Sequence, residues 1–233
     1  MSAPQFLVPV LPAGAQFTLD GPEGHHAATV QRLRVGERLV LCDGSGGTVA
    51  ATVVGAGKGS LDLSLGERSH EPAPDPRLVV VQGIAKGDRG ELAVQAMTEV
   101  GVDAIVPWAA VRSVARWTSD KPRQRWADTA REAAKQARRA WVPLVAAPVS
   151  TRDIPAGALV LHEEAAVALT AVPLPPGGDI VLVVGPEGGI APEELVALEQ
   201  AGATAVRLGP SVLRTSTAGP AALAVLSARL GRW

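Results

Sequence analysis

After residue 77 the chain alternates short, almost uninterrupted apolar runs with amphipathic stretches, and that alternation restricts the fold more than any other feature. The first run, LVVVQGI at 78–84, lacks a polar residue at every second position, so a strand made from it must be covered on both faces. A helix signature follows: Asp88 in position to cap, Glu91 three residues on as its capping-box partner, and Leu92, Ala93, Ala96, Met97 and Val100 on one face before Gly101 ends it. AIVPW at 104–108 reads as the next strand. A long helix is expected from about Pro122 to Ala140, with Trp126, Ala130, Ala133 and Ala137 on one side and Arg131, Lys135 and Arg138 on the other. Further strands are expected at 158–162, 179–184 and 204–208. Strands alternating with helices predict an α/β domain with a mostly parallel sheet over residues 77–233.

The N-terminal part has a different rhythm. Residues 6–65 alternate apolar and polar over short runs broken by glycine, which reads as β hairpins. GSGG (44–47) and GAGKGS (55–60) lie between such runs with no helix after them, so they read as hairpin turns rather than phosphate loops. GERSHEPAPDP (66–76) holds three prolines and no apolar periodicity. The expected division is a small β domain at 1–68, a linker at 69–76 and the α/β domain at 77–233.

Composition narrows the function classes. No run of 18 apolar residues occurs, and MSAPQFLVPVLPAG lacks the basic start and apolar stretch of a signal peptide, so a soluble cytoplasmic protein without membrane contact is expected. Cys42 is the only cysteine, which rules out an internal disulfide and a cysteine zinc cluster; adjacent His25 and His26 lack a third ligand, so no metal is expected. The net charge is −1, but nine Lys/Arg against Asp120, Asp128 and Glu132 make residues 112–139 about +6, leaving about −7 elsewhere. Arginine forks suit phosphate, so the basic helix face is either an RNA surface or simply solvated; Arg32 and Arg34 beside the histidines offer a second such surface.

Two segments point to chemistry. Gly185-Pro-Glu-Gly-Gly189 lies between the apolar strand DIVLVV and a helix opening at Pro192 with Glu193 and Glu194 in its first turn. Ligands of open α/β sheets bind beyond the carboxyl ends of strands, and the acidic first turn disfavours phosphate, so an uncharged or cationic ligand fits unless the segment is a bare turn. In LGPSVLRTSTAGPAALAVLSARL (208–230), Arg214 precedes a helix apolar on nearly every side. An arginine held close to the core needs a partner: a carboxylate such as Glu187 or Glu99, or a substrate.

Taken together, HHAATVQRLRVGE (25–37), KGDRGELAVQAMTEVGVDAIVPW (86–108), RWADTAREAAKQARRAWVP (125–143), VGPEGGIAPEEL (184–195) and LGPSVLRTSTA (208–218) resemble the RsmE family, which methylates N3 of a uridine in 16S ribosomal RNA. The resemblance implies a PUA-like N-terminal β-barrel domain for RNA, a C-terminal SPOUT domain with a trefoil knot, a homodimer, and 16S rRNA within the small ribosomal subunit as substrate. It implies that S-adenosyl-L-methionine is held by Leu161, His162 and Glu163, by Val184, Gly185, Pro186, Glu187, Gly188, Gly189 and Ile190, and by Leu208, Gly209, Ser211, Leu213 and Arg214. Arg214 is the candidate cation for charge developing on the base, and Glu187 the candidate base. The RNA-contacting residues are expected to be Arg32, Arg34, Lys86, Arg131, Lys135, Arg138 and Arg139. Two positions depart from the family pattern: Ser216 stands where glutamate is usual, and Ala191 where a hydroxyl residue is usual. The missing glutamate keeps a non-catalytic RNA-binding or assembly factor on the same fold as the alternative.

Overall fold

A computed structural model describes residues 3–233. The chain forms two compact units, one comprising the residues up to Ala73 together with Ala134–Val142, the other Pro74–Ala133 together with Pro143–Trp233.

In the N-terminal unit, β1 (Gln5–Leu7), β2 (Gln16–Leu19), β3 (Arg38–Cys42), β4 (Gly47–Gly57) and β5 (Ser60–His70) form one sheet in the order β1-β3-β4-β5-β2. The pairings are antiparallel except β1 with β3. Phe6, Leu19, Leu41, Val49 and Leu63, one from each strand, meet in a single core, so the sheet curls round itself as a small barrel whose ladder stays open between β1 and β2. Both glycine stretches are hairpin turns, with Gly44, Gly46 and Gly59 at positive φ. A short helix, α1 (Gly21–His25), continues into one π-helical turn over His26–Val30; the sequence reading had no helix there.

The extent of this unit differs from the expected division. β5 runs through His70, so the linker begins later than residue 69. Ala134–Val142, expected inside the α/β domain, is built into the N-terminal unit: Gln5 Nε2 and Cys42 Sγ donate to the carbonyls of Arg139 and Ala140 at 2.9 and 3.4 Å, and Trp141 Nε1 donates to Glu71 O at 3.0 Å.

The C-terminal unit holds seven parallel strands: β6 (Arg77–Gly83), β7 (Ala104–Trp108), β8 (Leu144–Val145), β9 (Leu159–Leu161), β10 (Val167–Ala168), β11 (Asp179–Val184) and β12 (Thr204–Arg207). Their order is β10-β12-β9-β11-β6-β7-β8. Alternate residues of the apolar runs serve opposite faces. Leu78 and Val80 of β6 and Ile180, Leu182 and Val184 of β11 pack towards α2 (Arg89–Val100) and α5 (Thr215–Arg229). Val79, Val81, Val181 and Val183 pack on the other side with Ile154 and with Leu198 of α4 (Pro192–Gln200). This two-sided burial is what the unbroken apolar runs required.

The helices hold more surprises. Asp88 occupies the N-cap of α2 but makes no side-chain cap hydrogen bond, so the expected capping box does not form; Gly101 closes the helix in the left-handed region at φ 107°. The buried face of α2 is Gly90, Ala93, Val94, Met97 and Thr98, and Leu92 lies outside it, 52% exposed. The long basic helix, α3 (Lys121–Gln136), stops four residues short of Ala140, and Arg138 then reverses the chain at φ 55°.

Candidate functional site: a cleft at the carboxyl end of the sheet

β12, β9 and β11 are neighbours, and the three turns leaving their carboxyl ends converge on one cleft of about 590 Å³. All the residues expected to hold the cofactor line it: Leu161 to Glu163 after β9, Val184 to Ile190 after β11, and Leu208, Gly209, Ser211, Leu213 and Arg214 after β12. Parallel strands aim their chain ends in one direction, so turns far apart in sequence share a rim.

Glycine shapes the walls. A Cβ on Gly209 would meet no atom within 4 Å, whereas one on Gly188 would lie 3.0 Å from Arg112 Cβ and 3.2 Å from Arg112 O; Gly189 sits at φ 72°. The turn is pinned from below by a chain the sequence reading missed. Gln82 Nε2 donates to Thr215 Oγ1 at 2.8 Å, and the Thr215 hydroxyl donates to Gly185 O at 2.7 Å. Gln82 Oε1 is buried and has no hydrogen-bond partner among the described residues. A glutamine inside an apolar strand was the visible signal for this link, since a buried amide requires partners.

The far end of the turn is held by Glu194, which is 4% exposed. Its carboxylate accepts from Val111 N at 2.9 Å, from Thr151 Oγ1 at 2.7 Å and from Ala191 N at 3.3 Å. The last bond is half a capping box, and Ala191 has no hydroxyl to supply the other half. Glu194 is therefore an internal tie, and only Glu193 presents its charge to solvent.

Several site expectations change. Arg214 occupies the N-cap of α5, exposed on the cleft, and its side chain makes no hydrogen bond or ion pair among the described residues, so the buried ion pair with Glu187 or Glu99 does not exist. Glu99 instead accepts from Gln95 Nε2 on its own helix at 3.0 Å. Glu187 Oε1 accepts from the Lys86 backbone N–H at 3.0 Å and faces Arg89 at 3.7 Å. Lys135, expected on an RNA face, is 4% exposed, with Nζ 3.1 Å from Glu23 Oε1. Buried against that carboxylate, it is a tie within the N-terminal unit. Arg32, Arg34, Lys86, Arg131 and Arg138 are exposed and Arg139 is partly so. Arg32 and Arg138 are the two non-glycine residues at positive φ among the described residues. Ser216 is absent from the cleft lining. Arg89, Arg112, Arg207 and Thr215 also line the cleft and were not anticipated.

A seven-stranded parallel sheet with its cleft at three strand-end turns, in a chain that also carries a small open barrel, defines the SPOUT class of α/β RNA methyltransferases carrying a PUA-like domain. The RNA methyltransferase domain family matches residues 71–227 and the RNA methyltransferase PUA domain family residues 19–66. A Mycobacterium bovis protein named ribosomal RNA small subunit methyltransferase E is 47% identical over 100% of this chain and 94% of its own length. A Bacillus subtilis protein of the same name is 31% identical over 91% and 89%. The crystal structure of the Neisseria gonorrhoeae protein of that name, bound to S-adenosyl methionine, superposes with TM-score 0.86 at 29% identity, covering 98% of each chain. The chain belongs to the ribosomal RNA small subunit methyltransferase E family.

Proposed function

We propose that this protein transfers a methyl group from S-adenosylmethionine to N3 of a uridine in small-subunit ribosomal RNA. The observation that carries the reading is the convergence of three strand-end turns on one cleft that also holds the guanidinium of Arg214, unpaired among the described residues. The lining fits the cofactor: Leu161, Val184, Ile190 and Leu208 offer apolar surface for adenine, and open space over Gly209 admits a ligand next to backbone polar groups. When bound, the cofactor supplies a methyl carbon made electrophilic by its sulfonium.

The protein's tasks are to align the acceptor, exclude water and manage one proton. Uracil N3 carries a proton that must leave before its lone pair can form the new bond to carbon. Glu187 receives it: Oε1 is tied to Lys86 N, whereas Oε2 has no hydrogen bond among the described residues. Charge then spreads to the carbonyl oxygens flanking N3, where Arg214 stabilises it. The N-terminal unit, with Arg32, Arg34, Arg138 and Arg139, binds RNA phosphates together with Arg131 and Lys86 of the C-terminal unit.

We place the protein in the cytoplasm as a homodimer acting on the small subunit. Supporting the dimer, Ala221, Ala224 and Val225 on α5 are only partly buried although that helix is apolar nearly all round. Sedimentation at micromolar concentration gives a two-chain mass; a monomer there removes the dimer. Incubation with labelled cofactor and small subunits lacking the modification, followed by digestion to nucleosides, yields labelled N3-methyluridine. Label in cytidine, adenosine or ribose defeats the uridine assignment, and no label in RNA returns the chain to a non-catalytic assembly factor.

A further inference from the structure

We infer that Arg112 is a second cation for the acceptor base, sharing with Arg214 the negative charge that develops when N3 loses its proton. The inference rests on the uridine N3 reading above.

Arg112 lies in the turn after β7, and the backbone on both sides of it is fixed. Val111 N donates to the buried Glu194 carboxylate at 2.9 Å, Ser113 N donates to Ala110 O at 3.0 Å, and Ser113 is 5% exposed. The side chain lies along the glycine turn of the cleft, where Nη1 donates to Gly188 O at 3.1 Å. That bond uses one of five N–H donors, and no carboxylate pairs with the group among the described residues. A carbonyl orients a guanidinium without neutralising it. The result is a full positive charge at a set position beside the glycine turn.

The acceptor's chemistry calls for two such charges. A uracil that has lost its N3 proton carries negative charge on both flanking carbonyl oxygens, and the N3 lone pair between them must stay free for the methyl carbon. Two guanidinium groups, from the turns after β7 and β12, serve two oxygens and leave the nitrogen open. The other ionisable groups on the cleft are Arg89 and Glu187, which face each other, Arg207, and His162, Glu163 and Glu164.

The test compares wild type with Arg112→Ala and Arg112→Lys above about pH 8, where carboxylates and imidazoles as classes no longer change charge. Substrates are small-subunit RNA and the same RNA containing 5-fluorouridine, whose N3 proton leaves more readily. Arg112→Ala should lower kcat roughly a hundredfold with ordinary RNA. The deficit should shrink as pH rises and shrink again with 5-fluorouridine, and Arg112→Lys should recover part of it. S-adenosylhomocysteine affinity, measured by calorimetry, should weaken no more than about tenfold, the scale of one lost hydrogen bond. Without cofactor, wild-type affinity for the fluorinated RNA should tighten with pH by fluorescence anisotropy, and that tightening should vanish in Arg112→Ala. A deficit equal at every pH and on both RNAs, or unchanged pH-dependent binding, reduces Arg112 to a support for the Gly188 turn. A wild-type product other than N3-methyluridine overturns the function reading itself, and is seen in the wild-type digest alone.

Discussion

Gly90 shows how a residue's neighbours reverse an ordinary rule. Replacing a helical glycine by alanine normally stabilises by about 0.5–1 kcal/mol. Here a Cβ would lie 2.6 Å from Trp126 Cζ2, and Trp126 is 3% exposed and stacked edge-on against Trp117 at 5.0 Å. Gly90→Ala should therefore destabilise by about 1–3 kcal/mol, the cost of overpacking, read as a lower Tm with unchanged helix content in circular dichroism. An unchanged or higher Tm would mean the indole moves aside freely. Single residues were the least legible level of the sequence. Lys135 looked like part of a basic stripe because its partner, Glu23, lies 112 positions away and leaves no local trace. Arg214 looked buried because the helix behind it is apolar, yet its place at the N-cap sets it on the open cleft.

Among elements, the strands were readable and the helix faces partly so: Trp126, Ala130 and Ala133 of α3 are buried as expected, whereas Leu92 of α2 and Ala137 are exposed. A parallel strand buried on both sides has to be apolar throughout, so β6 and β11 announce themselves, whereas a helix shows its buried side only where a large residue such as Trp126 marks it. The end of α3 was hidden from the sequence: Ala137 and Ala140 favour continuation, but the chain turns at Arg138, within the segment that belongs to the N-terminal unit. At the start of the paired strands β6 and β11, Arg77 and Asp179 stand opposite one another and bond through both guanidinium arms at 2.8 and 2.7 Å. Hydrogen bonding from Arg77 holds the Asp179 carboxyl below its ordinary value. A depressed carboxylate contributes stability that is present above its unfolded pKa and lost as pH falls through the folded one. Asp179→Asn should thus cost about 0.5–1 kcal/mol near neutrality, because the pair is half exposed, and nothing once the medium is acid enough to protonate wild type. Urea midpoints at neutral and acid pH measure the difference; an equal cost at both would remove the ion pair as its source.

For the whole molecule, RNA affinity is expected to depend on exposed arginines from both units. Arg131→Glu with Arg138→Glu should weaken binding to small-subunit RNA at least tenfold at low salt, with a smaller loss at high salt, while cofactor affinity stays unchanged, since neither residue lines the cleft. Wild-type affinity at low salt would return α3 to a merely solvated surface. The two-part plan was visible in the change of rhythm near residue 70, but the loan of Ala134–Val142 to the N-terminal unit was not, because its ties, such as Lys135 to Glu23 and Gln5 to the Arg139 carbonyl, join residues more than 100 positions apart and leave no local pattern. The loan also sets a timetable for synthesis. When Ala73 is made, the barrel's five strands exist, but Gly44, Gly46 and the side chains of Gln5 and Cys42 still await partners in Arg139, Ala140 and Val142, the first of them 66 residues later. At roughly 5–20 residues per second, the nascent N-terminal unit stays unfinished for several seconds, with Glu23 uncapped by its lysine. Synonymous codons that slow translation between 74 and 142 would prolong that interval, and it is there, more than at either end of the gene, that the pace of the ribosome bears on yield.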